Sequence, residues 1–255
     1  MADITSNQNA KVKDWKKLHT RKERKKTQTY MVEGFHLVEE AIKFKKDDIL
    51  HIIMREDLVN HEDVKKLEIA RETITTITDN VANELSETET NQGIFIILKM
   101  SKTATPSKIE APYLLLDAVQ DPGNVGTMIR TADAAGFQGV ILGTGTVDLY
   151  NAKTIRSAQG SHFHLEVLEG SLAEFITNFK EKNVTILGTA LNEKAESYKD
   201  LHLEGPFGLI VGNEGAGISD EILTTVDHNI YIPMKGQAES LNVAIAASIM
   251  MFHLY

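Results

Sequence analysis

YLLLDAVQDPGNVGTMIRTADAAGF, residues 113–137, is the stretch on which the fold turns. An apolar run, YLLLDAV, is followed after Gln120 and Asp121 by Pro122 and Gly123 and then by residues with helical periodicity. A short, nearly continuous apolar run is the pattern of a strand buried on both faces, in a sheet covered by helices. Asn124 stands where a helix N-cap belongs. Arg130 lies six residues further on, almost two turns into the helix. Gly126 and the alanines make that helix thin, so that another backbone can approach it closely.

Outward from this stretch the alternation repeats. GVILG (139–143), HFHLEVL (162–168), VTILGTA (184–190), PFGLIVG (206–212) and NIYIP (229–233) read as strands, with helices at about 124–136, 150–158, 171–181, 219–226 and 240–255. Upstream, TYMVEG (29–34), ILHIIMR (49–55), TITTIT (73–78) and GIFIILKM (93–100) read as strands interleaved with helices at 35–44, 61–70 and 80–87, giving a partly parallel sheet. MSKTATPSKIEAP (100–112) lacks apolar periodicity and reads as a linker. The expectation is two α/β domains, a smaller one over residues 1–106 and a second over 107–255.

In such sheets ligands bind in the loops leaving the carboxyl ends of the strands, and two further loops there are unusual. LIVGNEGAGIS (209–219) sets three glycines around Asn213 and Glu214 directly after a strand. Glycines there let main-chain N–H groups reach a ligand. No Lys-Ser or Lys-Thr follows, so this is not a Walker loop, and its G-x-x-G-x-G spacing is not the dinucleotide fingerprint. IPMKGQAESLNVAIAASIMMFHLY (232–255) places Ser240 as a helix cap, followed by Leu241 and Asn242. The helix after it is apolar on nearly every side and is expected to be buried in a core or a subunit interface.

Composition narrows the chemistry. The chain has no cysteine, which excludes disulfides, thiolate nucleophiles and cysteine-held zinc or iron–sulfur centres. No signal peptide or membrane span is visible in the sequence, and a cytoplasmic protein is expected. No metal is expected either: His162 and His164 would share one face of a strand, but no third ligand presents itself. The net charge of −9 hides an asymmetry. Residues 1–108 carry 19 Lys/Arg and 18 Asp/Glu, whereas residues 109–255 carry 8 and 18. Within KVKDWKKLHTRKERKK (11–26) there are nine basic and two acidic side chains, a density that attracts polyanions. Read from charge alone, the block is equally a solvated helix face or a disordered arm. Trp15 inside it suits either an unpaired base to stack on or a place in the core.

Together, these segments resemble the signature motifs of the SpoU/TrmH family of RNA ribose methyltransferases, within the SPOUT superfamily. The match comprises D-P-x-N-x-G with an arginine six residues after the asparagine, G-N-E-G-x-G, and I-P-M with S-L-N-V-A. AKTIRSAQGSHFHL (152–165) resembles a fourth family segment through Lys153, Arg156, Ser157 and Gly160, with Ser157 one place early. The N-terminal stretch SNQNAKVKDWKKLHTRKERKK…YMVEGFHLVEEA is similar to the substrate-binding domain attached to many members.

The resemblance implies a small N-terminal α/β RNA-binding domain plus a C-terminal α/β methyltransferase domain whose chain threads a loop into a trefoil knot. It also implies a homodimer and S-adenosylmethionine as methyl donor, held by main-chain groups around Gly212, Ile232 and Leu241. Asn124, Arg130, Glu214, Ser240 and Asn242 match the polar catalytic positions. The implied reaction is methylation of a ribose 2′-hydroxyl, in ribosomal RNA rather than transfer RNA. A guanidinium stays protonated in proteins. Arg130 is therefore expected to hold phosphate and stabilise charge developing on O2′, with Asn124 and Glu214 orienting it and the loop. Lys11, Lys13, Lys16, Lys17, Arg21, Lys22 and Arg24, in the same run as Lys25 and Lys26, are expected to contact RNA. The competing readings are a transfer-RNA enzyme, a catalytically silent RNA-binding protein of the same fold, and a dehydrogenase.

Overall fold

The computed structural model describes residues 2–67, 69–101, 105–106, 108–192 and 194–255. They form two compact units, Met1–Ser101 with Tyr150–Ile155, and Lys102–Leu149 with Arg156–Tyr255. The segment Tyr150–Ile155 thus groups with the first unit, which a single cut near residue 106 did not anticipate. Residues 102–104 and 107 of the expected linker lie outside the described residues.

In the first unit, α1 (Ala10–Lys17) starts at Asn9, whose side chain accepts a hydrogen bond from the Lys11 amide. α2 (Arg21–Thr27) starts at Thr20, whose hydroxyl accepts from the Glu23 amide, and ends where Gln28 turns left-handed. β1 (Thr29–Glu33), α3 (Phe35–Phe44), β2 (Ile49–Arg55), α4 (Glu62–Lys66), β3 (Ile74–Ile77), α5 (Asp79–Leu85) and β4 (Ile94–Lys99) follow. The sheet runs β1-β4-β2-β3, with only β2 and β3 parallel. β4 is central and its first five residues are buried, while edge strand β1 buries only Tyr30 and Val32. Val12, Trp15 and Leu18, at helical spacing, are buried with Ile53, Ile77, Val81, Leu85 and Phe95 in one core. The basic block is therefore two ordered helices rather than a disordered arm. Trp15 is a core residue, 6% exposed, and not a stacking platform.

The second unit is a seven-stranded sheet, all parallel. Its elements are β5 (Tyr113–Leu116), α6 (Pro122–Ala134), β6 (Gly139–Gly143), the last turn of α7 (Ala152–Ala158) from Arg156 on, β7 (Glu166–Gly170), α8 (Leu172–Glu181), β8 (Thr185–Thr189), β9 (Glu196–Ser197), β10 (Phe207–Val211), α9 (Asp220–Leu223), β11 (His228–Tyr231) and α10 (Val243–Leu254). The order is β7-β6-β5-β10-β8-β11-β9. Every residue of β5, β6 and β10 is buried, as apolar strands covered on both faces require. Leu172, Phe175, Ile176 and Phe179 on α8 cover one face together with Tyr113, Leu115, Ile141 and Ile186.

Three local expectations are corrected. Residues 161–163 are a single 3₁₀ turn, not strand, because Gln159 and Gly160 are both left-handed and turn the chain before β7 begins at Glu166. His162 and His164 therefore do not share a strand face; His164 instead meets Asp133 at 2.8 Å. The helix cap before α6 is Asp121, whose carboxylate accepts from the Asn124 amide at 2.8 Å, so Asn124 sits inside the first turn. The cap of α10 is Asn242, not Ser240, because Asn242 Oδ1 accepts from the Ala244 and Ile245 amides. α10 itself buries only one face, Ala244, Ala247, Met250 and Met251, and packs against α6.

Candidate active site

The site lies at the carboxyl edge of the parallel sheet. Parallel register sends β5, β8, β10 and β11 out of the sheet in the same direction, so the loops after them meet on one side. Asp117 and Ala118 follow β5, Gly212 follows β10 and Ile232 follows β11.

The glycine loop after β10 closes on itself. Asn213 and Gly217 exchange two main-chain hydrogen bonds of 2.9 Å, and Gly217 takes the left-handed conformation at φ +73°. Within this ring a Cβ on Gly212 would lie 2.0 Å from the carbonyl carbon of Gly217, so only glycine fits there. Asn213 Oδ1 accepts from the amides of Gly215 and Ala216 at 2.9 and 3.0 Å. Its Nδ2 donates to the carbonyl of Ala118 at 2.9 Å, tying the ring to the end of β5. Asp117 makes a second tie, its Oδ2 accepting from both the amide and the hydroxyl of Ser219 at 2.8 Å.

Glu214 makes the third tie. Its carboxylate accepts from the amides of Gln120 and Asp121 at 3.2 and 3.1 Å and from Asn124 Nδ2 at 3.0 Å. Asn124 Oδ1 in turn accepts from Asn242 Nδ2 at 3.0 Å. The line Glu214–Asn124–Asn242 thus joins three loops separated by 90 and 118 residues in sequence. Partial burial pushes the Glu214 pKa up, but the hydrogen bonds from Asn124, Asp121 and Gln120 outweigh it, and the net shift is downward. A carboxylate held ionised by three donors is an anchor and a poor proton acceptor at neutral pH.

The structure links Asn124, Glu214 and Asn242 by hydrogen bonds, and neither Arg130 nor Ser240 joins that line. Both are exposed and have no hydrogen-bond or ion-pair partner among the described residues. Asn124 and Glu214 therefore fix the loops and make no hydrogen bond to Arg130. Sequence reasoning missed Asp117, Asp121 and Asn213, which hold these loops in place. The signal for Asn213 was its position between Gly212 and the Gly215–Gly217 turn, where an amide side chain can bond its own loop.

For a cofactor, the geometry offers buried Gly212 at the end of β10, half-buried Ile232 at the end of β11, and exposed Leu241 beside the cap Asn242. The main-chain groups of residues 233–241 make no hydrogen bond among the described residues. Exposed Met234 and Leu241 place apolar surface beside them. Free main-chain donors and acceptors next to apolar side chains suit a purine, whose faces are apolar and whose edge is polar. The residues present therefore fit an adenosyl cofactor. Among the described residues no cluster of three or more His, Asp or Glu is placed to hold a metal ion.

The expected RNA-contact residues all lie on α1 and α2. Lys11, Lys13, Arg21 and Lys22 are exposed. Lys16 pairs with Glu84, and Lys17 with Asp14 at 2.7 Å. Arg24 is the exception: it is only 5% exposed, and its Nη1 donates to the carbonyls of Leu18 and His19 at 2.7 and 2.8 Å. A buried guanidinium already bonded to main chain is not an RNA contact, and that expectation is corrected.

An all-parallel α/β unit whose strand-end loops are cross-tied around a glycine ring defines a cofactor-dependent α/β enzyme. Residues 111–252 match the model of the SpoU rRNA Methylase family, and residues 9–95 match that of the MRM3-like substrate binding domain. The chain belongs to the SpoU rRNA methylase family. It is 48% identical to the 23S rRNA (guanosine(2553)-2′-O)-methyltransferase RlmP of Bacillus subtilis, over 100% of this chain and 99% of that one. Among solved structures it is similar to the AdoMet-bound rRNA methyltransferase from Sinorhizobium meliloti, with a TM-score of 0.86, 31% identity and coverage of 99% and 97%. It is also similar to the SpoU methyltransferase AviRb from Streptomyces viridochromogenes in complex with AdoMet, with a TM-score of 0.86, 26% identity and coverage of 96% and 97%.

Proposed function

We propose that this chain is a cytoplasmic, homodimeric enzyme that methylates the ribose 2′-hydroxyl of one guanosine in 23S rRNA, the nucleotide corresponding to the one named for its Bacillus subtilis relative. The observation that carries the reading is the line Glu214–Asn124–Asn242, which binds the three motif loops into one site. The 48% identity to that relative over the full length supports the choice of nucleotide.

S-adenosylmethionine, when bound, supplies a sulfonium methyl group as electrophile. Attack by the ribose O2′ on that methyl would displace the neutral thioether and release the hydroxyl proton. The protein's part is alignment and charge stabilisation. Gly212, Ile232 and Leu241 would flank the cofactor with main-chain groups. Asn124, Glu214 and Asn242 hold the loops at fixed separation. Arg130, exposed and unpaired, is available to grip the target phosphate and to stabilise the charge that grows on O2′. Ser240, at the rim, is free to meet the substrate. In this reading the segment after β11 threads the preceding loop as a trefoil knot, with Asn242 returning to Asn124 on α6.

The dimer is supported by the outer face of α10. Ile245, Ile249 and Phe252, at spacings of four and three, form an apolar stripe that is 51%, 37% and 63% exposed. A second copy would cover it.

The test is methylation of a 23S rRNA transcript by the purified protein with S-adenosylmethionine, followed by mapping of 2′-O-methyl positions. A single methylated guanosine at the corresponding position is the expected result. Methyl transfer to transfer RNA and not to 23S rRNA would favour the other substrate.

A further inference from the structure

The corner between α1 and α2 is built in an unusual way. α1 ends at Lys17, and the carbonyls of Trp15, Lys16 and Lys17 accept from the amides of Leu18, His19 and Thr20 at 3.0, 3.2 and 2.9 Å. The Thr20 hydroxyl donates to the Lys17 carbonyl at 2.8 Å. The next two carbonyls, Leu18 and His19, are both taken by Nη1 of Arg24, which reaches back from the middle of α2. Arg24 is thereby buried within a run of nine cations whose other members are exposed. A buried cation at a helix carboxyl end is well placed electrostatically, and here one nitrogen with two hydrogens holds both carbonyls.

We infer that Arg24 is a positioning residue for RNA binding, one that sets the angle between two basic helices and so the spacing of their phosphate contacts. This rests on the reading of α1 and α2 as the RNA-binding surface. The cations left to make those contacts are Lys11, Lys13, Arg21, Lys22 and Lys25, all exposed and none in an ion pair among the described residues. Two of them stand on α1 and three on α2. Their mutual distances depend on the corner, and the RNA backbone, with its own phosphate spacing, tests that geometry. Arg24 contributes no counterion release because it meets no phosphate; it contributes alignment.

The experiment compares Arg24→Met, Arg24→Lys and Arg21→Ala in the full chain, on a 23S rRNA transcript. Arg24→Met keeps the volume and removes the donors. It is expected to raise the KM for RNA about tenfold while kcat and the affinity for S-adenosylmethionine stay within about twofold, and to leave the slope of log affinity against log salt unchanged. Arg24→Lys, which restores the cation, recovers most of the loss. Arg21→Ala, a phosphate contact, flattens the salt slope by about 0.7. Should Arg24→Met fail to fold, as seen by circular dichroism, Arg24→Lys carries the test, with a smaller rise in KM and an unchanged slope. A flattened slope in the Arg24 variants would make Arg24 a phosphate contact and overturn the inference. An unchanged KM in folded Arg24→Met would overturn it as well. If Arg21→Ala also leaves both KM and slope unmoved, the RNA-binding reading of the two helices fails with it, and the two failures are told apart by that control.

Discussion

Glu214 and Arg130 are both charged residues in family motifs, and their surroundings assign them opposite work. Glu214 accepts three hydrogen bonds from the β5–α6 segment, and its pKa is lowered because they outweigh the opposing effect of burial. A carboxyl group with a depressed folded-state pKa stabilises the fold above its unfolded pKa and stops doing so as the pH falls through the folded value. Glu214→Gln is therefore expected to lower the melting temperature by a constant amount above about pH 5, with the gap to the parent closing in acid. A gap that widens on acidification in parallel melts would contradict this sign. Arg130 has no partner among the described residues, so its removal disturbs no bond of the fold. Arg130→Ala is expected to reduce methyl transfer by at least ~10²-fold, the scale for losing one charge-stabilising donor. Calorimetry should find the affinity for S-adenosylmethionine nearly unchanged. Equal losses of both would place Arg130 in the support of the cofactor loops instead.

At the scale of elements, α10 is informative because its composition and its burial disagree. The helix is apolar almost throughout, yet α6 and the sheet take only the face carrying Ala244, Ala247, Met250 and Met251. Ser248 Oγ meets Thr131 Oγ1 at 3.3 Å, one residue beyond Arg130 on α6. The opposite stripe remains in water in a single copy. Each large apolar side chain moved from water into an interface stabilises it by roughly 1.5–3 kcal/mol. Ile249→Asp together with Phe252→Asp is thus expected to convert the proposed dimer to monomer, as read by sedimentation at micromolar concentration. The inner face is untouched, so the monomer should keep its circular dichroism spectrum. An unaltered sedimentation coefficient would remove α10 from the interface.

For the whole molecule, charge is the organising fact. Nine cations and two carboxylates within residues 11–26 contrast with eight cations and 18 carboxylates over residues 109–255. On the proposed reading RNA affinity comes chiefly from the N-terminal helices, since an acidic unit repels a polyanion at long range. Replacing Lys11, Lys13 and Lys22 together by Gln is expected to flatten the salt dependence of RNA binding by about 2 in slope, at about 0.7 per single-strand contact. Cofactor affinity should not change. A salt slope equal to that of the parent would mean that these lysines are only a solvated surface.

The alternation of buried strands and helices in residues 113–255 was legible in the sequence because strands covered on both faces leave no choice of residue type. The motif loops were legible for a similar reason: the ring at Gly212 admits no Cβ, and the three-loop tie needs Asn124, Glu214 and Asn242 as side chains able to bond one another. What the sequence could not say is which of several equivalent residues a contact selects. Asp121 rather than Asn124 caps α6, and Asn242 rather than Ser240 caps α10, because cap choice depends on which side chain the incoming chain direction aims at the free amides. The strand expected at 162–168 starts late because two left-handed residues turn the chain before it. Nine neighbouring cations look alike in one dimension, and only packing separates buried Arg24 from its exposed neighbours, just as only packing places Trp15 in the core. Local composition specifies the elements and the chemistry available; burial and direction, which depend on residues far along the chain, decide which side chain performs it.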